Sequence, residues 1–250
     1  MIAGRFAPSP TGPLHYGSLV AALGSWLFAR SSGGKWLLRI DDLDQQRVIP
    51  GMADDIMRTL ELLGLEWDDS PFWQSQRTES YADALRALTV KGVVYPCSCS
   101  RTEIAMIATA PHGTDELVYP GTCRAGIHPG REARSLRVKV QDGELSFDDG
   151  IMGRLSQKLT EACGDFVIRR ADGLFAYHLA TVVDDAEAGV NQVVRGSDLI
   201  ASTPRQIYLQ QLLGIESPAY FHLPLVTDRS GAKLSKRDCP ISLKSGEKLM

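Results

Sequence analysis

The chain has 250 residues, 44% of them apolar and 23% charged, which excludes a disordered or fibrous protein and predicts one or two globular domains. Its 27 basic side chains against 30 acidic ones leave a net charge of −3, which excludes nucleic-acid binding by bulk charge alone. The charge is uneven. From Thr227 on, Arg229, Lys233, Lys236, Arg237, Lys244 and Lys248 outnumber Asp228, Asp238 and Glu247, so a basic end sits on an acidic body, as suits a polyanion held at one edge.

Taken in chain order, Ile2 to Ala7 predicts a short buried strand. Pro8-Ser9-Pro10-Thr11-Gly12-Pro13 predicts a rigid loop, because prolines fix φ and glycine permits the turn. Ser18 to Arg30 reads as a helix, apolar nearly all round and therefore buried, and Trp36 to Ile40 as the next strand. Strand, loop, helix, strand is the opening of a doubly wound α/β sheet. Gly51 to Leu63 and Ser80 to Lys91 predict amphipathic helices closed by Gly64 and Gly92. Between residues 97 and 163 helical periodicity weakens, and Gly, Pro, Cys and His gather as in an insertion. Phe166 to Arg170 and Leu174 to Tyr177 predict two strands around an Ala171-Asp172-Gly173 turn. Val190 to Arg195 follows as a strand. Ser202 to Leu213 is a helix with Ser202 or Thr203 as cap, Pro204 in its first turn and Gly214 as its stop.

The N-terminus shows no apolar signal region, and the stretch from Leu19 to Ala29, broken by Gly24 and Ser25, is shorter than the ~18–20 residues a membrane span needs. These features predict a cytoplasmic protein without a membrane partner. Of five cysteines, Cys97, Cys99 and Cys123 cluster, which in such a chain favours a metal over disulfides. Three thiolates suit tetrahedral zinc and leave a fourth ligand open, with His112 and His128 as generic candidates. Cys163 and Cys239 stand outside the cluster.

Neither a G-x-G-x-x-G loop nor a P-loop follows the first strand. Instead Pro13-Leu14-His15-Tyr16-Gly17-Ser18 leads into a helix, whose N-terminal N–H groups can receive phosphates. His15 can donate to a phosphate oxygen, and Gly17 lets a flat base approach the backbone. Far along the chain, Lys233-Leu234-Ser235-Lys236-Arg237 can close on a triphosphate and neutralise charge growing at the α-phosphorus.

The segment His15 to Ser18 resembles the HIGH signature, and Lys233 to Arg237 the KMSKS signature, of class I aminoacyl-tRNA synthetases. Arg5-Phe6-Ala7-Pro8-Ser9-Pro10-Thr11-Gly12 and Arg39-Ile40-Asp41-Asp42-Leu43-Asp44 narrow the resemblance to the glutamyl/glutaminyl branch. It covers essentially the whole chain and is closest to the glutamyl-queuosine tRNA(Asp) synthetases, short paralogues of glutamyl-tRNA synthetase without an anticodon-binding domain. The fourteen residues after Lys236 are too few for such a domain. The family usually runs some tens of residues further, so the chain is either truncated or a short member.

The resemblance implies an α/β class I synthetase fold, a Rossmann-like parallel sheet with a zinc-bearing insertion. Residues 1–96 and 164–226 would form the two halves of the catalytic core, 97–163 the zinc-bearing connective insertion, and 227–250 the phosphate loop and tail. It implies that Arg5, Ala7, Ser9, Asp41, Tyr177 and Arg195 bind glutamate. Asp41 stands where the family usually has Glu, one methylene short of a direct contact, and Asp198 matches an acidic position near the ribose. ATP would lie on His15, Gly17, Ser18 and Lys236, with Mg²⁺ on the phosphates, and His15, Lys233 and Lys236 would be catalytic. Tyr119 would join Cys97, Cys99 and Cys123 on one structural zinc. The implied partners are ATP, L-glutamate and queuosine-containing tRNA(Asp), and the chain is expected to be a monomer. Two other readings are a glutamyl-tRNA synthetase fragment charging the tRNA 3′ end and an inactive zinc-bearing RNA-binding protein.

Overall fold

The computed structural model describes residues 1–107 and 117–227. His112, Lys233, Lys236, Arg237, Cys239 and Lys244 therefore lie outside the described residues. In chain order the elements are β1 (Ala3–Phe6), α1 (Tyr16–Ser31), β2 (Lys35–Ile40), α2 (Met52–Leu62), β3 (Phe72–Trp73), α3 (Thr78–Val90), β4 (Val94–Cys97) and α4 (Arg101–Ile107). They continue with β5 (Ser135–Val138), β6 (Glu144–Asp149), β7 (Gly153–Lys158), the single turn α5 (Leu159–Ala162), β8 (Val167–Arg169), α6 (Tyr177–Glu187), β9 (Gln192–Gly196), α7 (Thr203–Leu213) and β10 (Ala219–Leu223).

The apolar run of β2 pairs in parallel with β1 on one side and β3 on the other. Burying Trp36, Leu38 and Ile40 contributes about 1.5–3 kcal/mol for each aliphatic side chain. A second sheet has the order β7-β6-β10-β9, with β10 parallel to both β9 and β6 and a β6–β7 hairpin at its edge. The first strand of the chain meets this sheet where Asn191 N donates to Ala3 O at 3.1 Å and Ala3 N donates to the Asn191 side chain at 2.9 Å. β1 thus has β2 on one side and the late strand β9 on the other. That reversal of strand order opens a crevice at the strand ends, where α/β proteins bind ligands.

Helix α1 departs from the expectation of all-round burial. Tyr16, Leu23 and Leu27 are exposed, while Ala22, Ser25 and Ala29 are buried. The small residues face the sheet because the backbone comes close there: a Cβ on Gly4 would lie 3.3 Å from the Ala29 Cβ. Helices α2 and α3 end as the sequence predicts, with Gly64 and Gly92 both at φ +68°.

A further sequence expectation needs correction. Leu174 to Tyr177 is not a strand. It makes only an isolated bridge between Arg169 and Phe175, and Tyr177 opens helix α6. A short apolar run with β-branched Thr181, Val182 and Val183 carries no clear helical period. The pairing also crosses both limits of the 97–163 segment. β5 bonds to β4 before it and β8 after it, and β6 joins β10.

A buried ion network joins β1 and β2 to α6. Arg39, 1% exposed, donates from Nη1 to Asp185 at 2.5 Å and from Nε to Asp41 at 2.6 Å, and lies 3.8 Å from Asp184. Asp184 also accepts from Gln74 and Arg77 at 2.7 Å and from Tyr81 at 2.9 Å. Arg39 therefore faces three buried carboxylates, sharing Asp184 with Arg77 and Asp185 with Arg5. Arg39→Ala is expected to destabilise the fold by about 3–5 kcal/mol, the cost of stranding buried charges. Chemical denaturation measures it, and a loss below ~1 kcal/mol would show that these carboxylates do not depend on Arg39.

Candidate active site and metal centre

A cavity of about 580 Å³ opens at the β1/β9 crevice. Its wall brings together Arg5, Ala7 and Ser9 from β1 and the loop after it, His15, Gly17 and Ser18 from the start of α1, Tyr177 from α6, and Arg195 and Asp198 from β9 and the turn after it. Residues almost 200 positions apart in sequence thus meet at one site. Asp41 is not among the residues of the cavity wall. Both its oxygens accept from Arg39, at 2.6 and 3.3 Å, and burial pushes its carboxyl up to about 6 against the pull of that guanidinium.

His15 is the N-cap of α1. Its Nδ1 accepts from Ser18 N at 3.3 Å, so the ring proton belongs on Nε2, which is thereby a donor. Gly17 permits this placement, since a Cβ there would lie 3.0 Å from His15 Cε1 and 3.2 Å from Nδ1. The helix start combines that imidazole donor with the positive end of the α1 dipole.

The two cavity arginines are held differently. Arg5 Nε donates to Asp185 at 3.2 and 3.3 Å, so its charge has a protein carboxylate beside it. Burial would raise Asp185, but the charges of Arg5 and Arg39 outweigh it and keep the carboxyl below its ordinary range. Arg195, 4% exposed, is held by neutral groups: Nε donates to His222 Nε2 at 3.2 Å and Nη2 to Thr203 Oγ1 at 2.7 Å. Its Nη1 is buried with no hydrogen-bond partner among the described residues. Burial above all, and then the charge of Arg5, lowers the guanidinium pKa from its ordinary value. A buried cationic donor without a partner, on a side chain that lines a cavity, is a candidate recognition element for an anion.

Sequence reasoning missed Asp149, Asp185, Thr203 and His222. Asp185 lies in α6, which only at Tyr177 overlaps the strand expected over Leu174 to Tyr177. His222 lies in β10, whose Ala-Tyr-Phe-His-Leu run has only weak alternation.

The cysteine cluster forms where β4 ends. The sulfurs of Cys97, Cys99 and Cys123 lie within 4.8 Å of one another, with Cys99 and Cys123 3.6 Å apart. Tyr119 Oη lies 3.4 Å from Cys97 Sγ and 3.7 Å from Cys99 Sγ. Tetrahedral bonds of about 2.3 Å to sulfur and 2.0 Å to oxygen require about 3.8 Å between sulfurs and 3.5 Å from sulfur to oxygen, so the donor set fits a zinc ion. His128 is not part of the cluster. Gly164, at φ +65°, holds Tyr119 in place, since a Cβ there would meet Tyr119 O at 2.3 Å. Arg137 donates from Nε to Cys97 Sγ at 3.3 Å and stacks 3.7 Å over the Tyr119 ring, setting a cation beside the cluster.

Comparison with known proteins gives one answer. Residues 1–248 match the family described as class I tRNA synthetases (E and Q), catalytic domain. The chain is 59% identical over 249 residues to the glutamyl-Q tRNA(Asp) synthetase of Geobacter sulfurreducens, covering 99% of this chain and 79% of that protein. It is 57% identical to the glutamyl-Q tRNA(Asp) synthetase of Dechloromonas aromatica, covering 94% and 78%. Among solved structures, the glutamate-tRNA synthetase of Elizabethkingia anophelis superposes with a TM-score of 0.82 at 29% identity. That match covers 95% of this chain but 53% of the other, so the chain spans about half the length of that solved synthetase.

The cluster geometry predicts one tightly held metal ion per chain in protein purified without added metal. Elemental analysis is expected to find zinc in the parent and far less in Cys123→Ala. Full occupancy in that variant would show that the ligands are other residues.

Proposed function

The chain belongs to the E and Q family of class I tRNA synthetases, alongside glutamyl-Q tRNA(Asp) synthetases, and on that premise we propose that it activates L-glutamate with ATP and transfers it to queuosine at the wobble position of tRNA(Asp). The observation that carries the substrate assignment is Arg195 Nη1, a buried cationic donor without a partner on the wall that also holds Arg5. A side-chain carboxylate supplies the missing counter-charge. Glutamine would place a neutral amide there and leave the charge unmatched.

Arg5, Tyr177 and Arg195 hold the glutamate side chain in this reading, and Ala7 and Ser9 face its α-amino group. Asp41, withdrawn onto Arg39, acts on that group only through an intervening water. The substrate α-carboxylate is already ionised and attacks the α-phosphorus in line. Pyrophosphate leaves and glutamyl-adenylate forms, with no general base required. His15 donates from Nε2 to the phosphates, and Gly17 and Ser18 cradle the nucleotide at the start of α1. Lys233 and Lys236, outside the described residues, supply cationic charge to the same phosphates, and Mg²⁺ accompanies ATP.

Cys97, Cys99, Tyr119 and Cys123 would hold one zinc. Three thiolates and a phenolate close a tetrahedral site, so its role is structural. No helix of the described residues is long and apolar enough to cross a membrane. Acting on tRNA, the protein would work in the cytoplasm, and in this reading it does so as a monomer.

Queuosine carries a cyclopentene ring with two cis hydroxyls, chemically close to the 2′,3′-diol of a terminal ribose. A site shaped for one diol can receive the other when an anticodon-loop base is splayed into it. The tRNA backbone would meet local basic groups such as Arg237 and Lys244, so charging is expected to weaken with salt.

Exchange of pyrophosphate into ATP is expected with glutamate, not with glutamine, and without tRNA. Arg195→Ala is expected to cost about 3–5 kcal/mol in kcat/KM for glutamate, the scale for removing one partner of a buried charge pair. Equal rates with both amino acids would overturn the carboxylate assignment. For the acceptor, tRNA(Asp) with queuosine but lacking its 3′-terminal adenosine is expected to accept glutamate. The same tRNA with guanosine in place of queuosine and an intact 3′ end is expected not to. The reverse pattern would identify a synthetase that charges the 3′ end.

A further inference from the structure

The grip on Arg195 depends on one tautomer of one imidazole. A guanidinium can only donate, so His222 Nε2, 3.2 Å from Arg195 Nε, must carry the lone pair. The ring proton is then on Nδ1, which donates to Asp149 Oδ2 at 2.6 Å. Asp149 Oδ1 accepts from the backbone N–H of Met152 at 2.8 Å, Ile151 at 3.0 Å and His222 at 3.2 Å, which fixes the carboxylate against rotation. Thr203 Oγ1 lies 3.0 Å from His222 Nε2 and 3.3 Å from Leu199 O and takes the second Arg195 bond. The His222 and Asp149 side chains are completely buried.

We propose that Asp149 is a positioning residue for substrate specificity: by fixing the tautomer of His222, it aims the open Nη1 of Arg195 at the substrate side-chain carboxylate while leaving a neutral ring in contact with the guanidinium. The proposal rests on the reading of Arg195 as the carboxylate ligand. Its logic is a division of charge. Arg5 already touches the carboxylate of Asp185, which offsets part of its cation. A second aspartate directly on Arg195 would cancel the other cation, and the cavity would accept a neutral amide almost as well as a carboxylate. Placing the imidazole between Asp149 and Arg195 keeps the orientation without that neutralisation. Burial holds His222 below its ordinary pKa despite the pull of Asp149. Asp149 stays ionised because the N–H groups of Met152, His222 and Ile151 outweigh its own burial. The parts come from three elements remote in sequence: β6 supplies Asp149, β10 supplies His222, and β9 supplies Arg195. The single register pair that joins β6 to β10, Asp149 opposite Tyr220, places the carboxylate beside the ring.

Asp149→Asn is the discriminating variant. Its Oδ1 keeps the three backbone bonds, but an amide N–H replaces Oδ2 and faces His222 Nδ1. The ring is expected to move its proton to Nε2, which then meets the Arg195 Nε–H as donor against donor. In pyrophosphate exchange the glutamate KM is expected to rise about tenfold or more, the scale of other outer-shell orienting groups, with the ATP KM changed by less than about twofold. The preference for glutamate over glutamine is expected to narrow. Nitrogen-15 NMR of histidine-labelled protein is expected to show His222 changing from the Nδ1–H to the Nε2–H form. An unchanged glutamate KM in Asp149→Asn, alongside a raised one in Arg195→Ala, would overturn the proposal and leave the reading of Arg195 standing. An unchanged KM in Arg195→Ala would overturn that reading instead. Should Asp149→Asn fail to fold, His222→Gln and His222→Leu decide the matter. Glutamine can accept from Arg195 and donate to Asp149, so it is expected to recover most of the affinity lost with leucine. Equal impairment in the two variants would overturn the proposal.

Discussion

A guanidinium charge buried without a carboxylate in contact among the described residues is the constraint on which the site depends. Arg195 is 4% exposed, and both of its hydrogen-bond partners are neutral. Such a charge is costly to bury, and the fold tolerates it with two of its three nitrogens bonded and the third, without a partner among the described residues, on a side chain that lines the cavity. Its position follows from the topology. The strand that opens the chain lies beside a strand formed almost 190 residues later, so Arg5 and Arg195 reach one crevice, and α1 delivers its N-terminus to the same place.

The other arginines show how the fold treats charges that are not reserved for a ligand. Arg39 is saturated by Asp41 and Asp185 and lies close to Asp184, while Arg5 is tied to Asp185. This network fastens α6 to β1 and β2, which places Tyr177 at the head of α6 on the cavity wall. It also explains the displacement of Asp41. Arg39 lies two residues earlier, in β2, and captures both of its oxygens, so this carboxylate is held on that guanidinium and not on the cavity wall.

Much of the first half was legible because its signals are local. Prolines and glycines mark the loop before α1, apolar runs mark β1 and β2, and Gly64 and Gly92 stop the helices they follow. The cysteine cluster was legible from cysteine spacing, and the family resemblance pointed to the tyrosine whose hydroxyl the structure places beside Cys97 and Cys99. What was not legible depends on distant contacts. Val182 and Val183 favour a strand locally, yet the segment is helical, because the helix turns Asp184 and Asp185 toward Arg39 and Arg5. Similarly, nothing near His222 in sequence shows that Asp149 sets its tautomer. That relation exists only once β6 and β10 are paired.

The central claim is that the substrate side-chain carboxylate is the counter-ion of Arg195. A crystal structure of the full chain with a non-reactive glutamyl-adenylate analogue tests it most directly. The account predicts a carboxylate oxygen within hydrogen-bond distance of Arg195 Nη1, with the bonds to His222 and Thr203 unchanged. A side-chain carboxylate elsewhere in the cavity, with Nη1 bonded to water or to protein, would contradict it.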